Sequence, residues 1–144
     1  MKSIFSATAV FLIASSALCA TAAESTKSLT FDDVKLDMKN EEKYRPELLT
    51  DKVKALAGKT VSIKGFMSPS FKADGITQFV LMRNSSCRFG RDAPHHFVRI
   101  KLAEGDSVKF QITPLTVEGR FKIEEFKLGK KVFAIYRMTT AEVK

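Results

Sequence analysis

Most of the side chains able to do chemistry in this sequence fall between Met82 and Lys101. His95 and His96, its only histidines, lie there with Cys87, one of its two cysteines, and with Arg83, Arg88, Arg91, Asp92 and Arg99. Thiolate and imidazole are the common ligands of zinc and copper. Cys87 stands eight and nine residues from His95 and His96, a separation that a loop can close, so these three are the candidate metal ligands. No C-x-x-C or H-x-x-x-H pair reinforces them. The same thiol, with Arg83, Arg88 and Arg91 nearby, could be a reactive thiolate. No third group is evident to orient a base, however, and nucleophilic catalysis needs that positioning.

Charge suggests a further use. Five basic residues and a single acid, Asp92, occupy Arg83 to Lys101. Arginine forks suit phosphate and carboxylate. Arg83, Cys87, Arg88, Arg91 and Arg99 are therefore the candidate surface for an anionic ligand or a protein partner, with Phe89-Gly90 allowing close backbone approach. Against this, arginines on neighbouring strands often pair with local acids such as Glu118 or Glu124. Adjacent strand residues point to opposite faces, so both histidines can join one site only if Pro94 delays the start of the strand; by alternation His96 is expected on the apolar face with Val98, Ile100 and Leu102. His95 is expected on the polar face with Arg99 and Lys101. No phosphate loop, nucleophile elbow or pair of carboxylates in an evident cleft appears elsewhere, so an enzyme is not expected.

The elements that must hold this stretch follow from periodicity. Leu49, Val53 and Leu56 recur at helical spacing behind Pro46, and Gly58 follows, so one amphipathic helix is expected over about 46–57. The period then changes to 2. Val61, Ile63, Gly65 and Met67 alternate with polar residues. Gln78 to Met82 reads as a covered strand, and Phe97 to Leu102 as a third. Val108, Phe110 and Ile112 suggest a short fourth. Leu115, Val117, Gly119, Phe121 and Ile123 give the clearest alternation, and Val132 to Thr139 the last strand. The expected fold is mainly β: a small five- or six-stranded OB-like barrel over residues 45–144 with one N-terminal amphipathic helix. Residues 24–44 are polar with scattered apolar positions, expected as a tail and a loosely docked segment.

The start of the sequence bears on compartment. Lys2 precedes a short apolar run from Ile4 to Leu18, and Ala20-Thr21-Ala22-Ala23 supplies small residues before Glu24, the pattern of a cleavable signal peptide over residues 1–23. The run is too short and too interrupted by Ser and Thr to span a bilayer, which needs about 20 apolar residues. Cys19 would be acylated in a lipoprotein, but Leu18 before it is not the small residue such processing wants. A soluble periplasmic or secreted protein is the expectation. Without Cys19 the remaining Cys87 has no disulfide partner. The formal net charge is +8, or +7 without the signal, which favours anionic partners. Outside the cytoplasm these would be envelope components rather than nucleic acid.

Three blocks of sequence carry a resemblance: Gly65-Phe66-Met67-Ser68-Pro69, Phe79-Val80-Leu81-Met82-Arg83-Asn84 and Cys87-Arg88-Phe89-Gly90 with Pro94. Leu56 to Val61 and Val117 to Phe121 extend it. Together these resemble an uncharacterised family of bacterial exported proteins, classed as a domain of unknown function, over about Leu56 to Met138. The resemblance implies a small barrel and an accessory or binding role, some members being encoded beside transporter components. Several relatives have two consecutive cysteines before the Phe-Gly pair. Here the second is Arg88, so only Cys87 carries over.

Overall fold

A computed structural model describes residues 24–39 and 42–144; the expected signal peptide and Cys19 lie outside the described residues. Six strands form one sheet: β1 (Lys27–Leu29), β2 (Thr60–Met67), β3 (Gln78–Met82), β4 (Phe97–Leu102), β5 (Leu115–Leu128) and β6 (Lys131–Val143). Their order is β1-β2-β3-β4-β6-β5, and β2 also pairs with β5, so the pairings return to β2. The β1–β2 and β4–β6 pairs are parallel and the others antiparallel. β5 lies along β2 from Thr60 to Gly65, β1 joins at Val61 to Ile63, and β3 takes over at Phe66 and Met67.

Alternation sorts the side chains as expected for half-buried strands. Val61 and Ile63, Phe79 and Leu81, Val98 and Ile100, Val117 and Phe121, and Tyr136 and Met138 all enter one core. Gly65 belongs to this inner set for a packing reason. A β-carbon there would lie 2.6 Å from the Met82 carbonyl oxygen and 2.9 Å from the Phe31 ring.

Three expectations are corrected. The segment 24–44 is not loosely docked: Leu29, Phe31, Val34, Leu36 and Met38 are buried in the core. Inside it, the Tyr136 hydroxyl donates a 2.7 Å hydrogen bond to the Val34 carbonyl, satisfying both groups where water is excluded. Thr30 donates from its backbone N–H and hydroxyl to Asp33, and Lys52 pairs with the same carboxylate at 2.7 Å. The Lys52 ammonium and these Thr30 donors hold that carboxyl well below its ordinary range.

The single helix expected over about 46–57 is divided. A 3-10 turn (Pro46–Leu48) ends at Leu49, whose backbone is extended, and α1 (Asp51–Lys54) begins afresh after Thr50. The Thr50 side chain accepts from the Val53 N–H, the side-chain cap favoured at a helix start. Capping chemistry thus prevailed over the continuous apolar stripe. Finally, Val108 to Ile112 is not a strand. Val108 makes one isolated bridge with Ile76, and Ile112 is exposed.

Candidate functional site

The outer face of the sheet carries a second, smaller apolar cluster. Met82, Phe97 and Ala134 are buried there, with Phe66, Val80, Cys87 and Phe126 packed around them. The loop after β3 folds back over it. Phe89 is the contact: its ring lies 5.2 Å from Phe97, 5.5 Å from Phe133 and 6.2 Å from Phe126. Such edge and offset ring pairs add about 0.5–1.5 kcal/mol beyond burial. Gly90 is required next to it. Its φ is +90°, and a β-carbon there would lie 2.6 Å from Phe133. The Lys131 ammonium donates to the Gly90 carbonyl and lies 5.7 Å from the Phe133 ring, tying the loop to the start of β6.

The residues singled out from sequence do not form one constellation. Arg83 pairs with Asp32 at 3.0 Å. Arg99 stands on the outer face of β4, with its guanidinium carbon 4.6 Å from the Phe126 centroid and a nitrogen 3.6 Å from Glu124. Arg137 takes the same carboxylate at 2.7 Å, so Glu124 is shared between two arginines, and the local-acid reading holds for Arg99. Cys87 is half-buried on the aromatic cluster, with its N–H bonded to the Asn84 carbonyl. Arg88 and Arg91 have exposed side chains.

The histidine assignment inverts. Pro94–His96 is a 3-10 turn, so strand alternation begins only at Phe97. His95, expected on the polar face, is 1% exposed, whereas His96 is half-buried. The two rings stand 4.5 Å apart and nearly perpendicular. Neither nitrogen of His95, nor Nδ1 of His96, has a hydrogen-bond partner among the described residues. Burial above all, with His96, Lys35 and Arg83 adding repulsion, pushes His95 down to about 4. Burial, followed by Arg83, also lowers His96. Both imidazoles are therefore neutral at pH 7. Among the described residues no three His, Cys, Asp or Glu side chains gather as a metal-binding group.

A cleft of about 510 Å³ is lined by Glu42, Lys43, Tyr44, Arg91, Asp92, Ala93, Pro94, Lys130, Lys131 and Val132. It brings three separate stretches together: the approach to the first 3-10 turn, the end of the loop, and the β5–β6 turn. Of the candidate surface and metal-ligand residues named from sequence, only Arg91 lines it. Lys43, Lys130 and Lys131 were missed, although the consecutive lysines at the Gly129 turn were a visible signal.

No helix among the described residues is long and apolar enough to cross a membrane. No family model matches the sequence, and no curated protein matches it. A crystal structure of a DUF3299 family protein from Pseudomonas aeruginosa PAO1 is similar in fold. Its TM-score is 0.58 at 19% identity, over 83% of this chain and 95% of that one. The neighbour thus belongs to a family classed as a domain of unknown function, as the sequence resemblance implies, and the likeness is one of fold.

Proposed function

We propose that this protein is an exported, non-catalytic binding module of the bacterial envelope, built on an OB-like barrel, and that it contacts its partner through the loop between β3 and β4. The barrel reading rests on the five strands β2, β3, β4, β6 and β5, whose pairings return to β2 with β4 and β6 parallel. The export reading rests on residues 1–23 and the small-residue step before Glu24. An accessory role beside an envelope transport system fits the family resemblance.

One observation carries the contact surface. The loop is fastened from beneath by Phe89 and Lys131, while Arg88 and Arg91 on it keep their side chains exposed and make no ion pair among the described residues. A fixed loop presenting uncommitted cations loses little freedom on binding, which favours recognition.

In-cell photo-cross-linking tests this reading. A cross-linker at Ser86 on the loop is expected to capture a defined envelope protein, whereas one at Thr113, an exposed position on the chain between β4 and β5, is not. Equal capture from both positions, or none from Ser86, would refute it.

A further inference from the structure

The cleft combines two kinds of wall. Tyr44 is half-buried, Ala93 and Pro94 are buried, and Val132 is half-buried, which gives one apolar side. Around it stand Lys43, Arg91 and Lys130, all exposed and without an ion pair among the described residues. The two acids of the lining are otherwise engaged. Glu42 lies 3.6 Å from Arg45 and accepts from the Lys39 N–H, and Asp92 accepts from the Arg88 N–H. Lys131 is held by the Gly90 carbonyl. The volume lies within the roughly 300–1,000 Å³ usual for small-ligand sites.

We propose that this cleft binds an organic phosphate: a phosphomonoester carried on an apolar or aromatic body. The four cations of the lining, Lys43, Arg91, Lys130 and Lys131, outnumber its two carboxylates by two, and a ligand with about −1.5 to −2 charge at pH 7 balances that excess better than a single carboxylate. The arginine fork matches phosphate oxygens. Inorganic phosphate alone would leave the Tyr44, Pro94 and Val132 walls wet, so the body of the ligand supplies the rest of the affinity. The proposal rests on the binding-module reading only through Arg91, which the loop and the cleft share.

Calorimetric titration of the purified protein at low ionic strength tests it, with phenyl phosphate as the probe. Inorganic phosphate, phenol, and phosphatidylcholine vesicles with and without phosphatidic acid form the other arms. Phenyl phosphate is expected to bind about tenfold or more tightly than inorganic phosphate, and phenol not at all. Lys43→Ala combined with Lys130→Ala, both exposed positions, should weaken phenyl phosphate by about tenfold or more while leaving the unfolding midpoint in place. Vesicle binding that needs phosphatidic acid and is lost in the double variant would assign the phosphate to a lipid headgroup. Its absence alongside phenyl phosphate binding would assign a soluble ester. No binding in any arm, equal affinity for inorganic phosphate, or affinity unchanged in the double variant would overturn the proposal. Because neither lysine lies on the loop, capture from Ser86 that persists while phosphate binding fails separates this proposal from the partner reading.

Discussion

The two faces of the sheet are built to different standards. On the inner face the side chains of five strands and the segment from Leu29 to Met38 close a continuous core, and its deepest phenol is bonded to Val34. On the outer face three buried residues and a plug of aromatic rings hold down one loop, and the cations above it are exposed. The inner face fixes the fold and the outer face presents a surface. Substitutions should therefore divide: inner ones unfold the protein, and outer ones alter recognition with little change in stability.

The largest effect is expected at Gly65. Gly65→Val drives a side chain against the Met82 carbonyl and Phe31, neither of which can yield without opening β2 from β3, and should cost about 3 kcal/mol or more in chemical denaturation. Next comes acid. His95 titrates at about 4 in the folded protein, against 6.5 as an ordinary imidazole, so the unfolded chain takes up a proton first as pH falls. Stability is then full above about pH 6.5 and declines towards pH 4, by on the order of 3 kcal/mol, with His96 acting in the same direction. Denaturation at a series of pH values measures this. His95→Phe should flatten the profile, and a slope unchanged by that substitution would remove His95 as its source.

Tyr136→Phe leaves the buried Val34 carbonyl without its donor and should cost about 2 kcal/mol, read from the unfolding midpoint in denaturant. Phe89→Ala is expected to cost only about 1 kcal/mol, because the ring is 36% exposed. Its signature is instead faster alkylation of Cys87, a residue of the same loop that is half-buried against the outer apolar cluster. An alkylation rate equal to that of the unmodified protein would mean that Phe89 does not hold the loop down.

Much of this fold was legible where a strand's own alternation set its burial. Gln78 to Met82 and Phe97 to Leu102 form the expected strands, and β5 extends the run that begins at Leu115. Alternation failed where a partner was needed. Val108 to Ile112 has the pattern, but only Val108 finds a bridge. β1 has three residues and no pattern of its own; it forms because β2 offers a parallel edge. Val34, Leu36 and Met38 do alternate with Lys35 and Asp37, as Leu29 and Phe31 do with Thr30, but the two-residue step at Asp32 and Asp33 breaks the period, so the segment does not read as one strand. At the candidate site, Pro94 delayed the start of β4 and so exchanged the expected positions of His95 and His96. The cleft joins residues near 43, 91 and 130, and no local pattern shows that these distant stretches meet.

The division between the two faces is tested most directly by one paired measurement on Arg88→Ala combined with Arg91→Ala: capture of the envelope partner from Ser86, and the unfolding midpoint of the same protein. Both side chains are exposed, so the midpoint should correspond to a change within about 0.5 kcal/mol while the cross-linked product is lost. A product that survives the double substitution, or one that disappears only together with the folded state, would contradict the account.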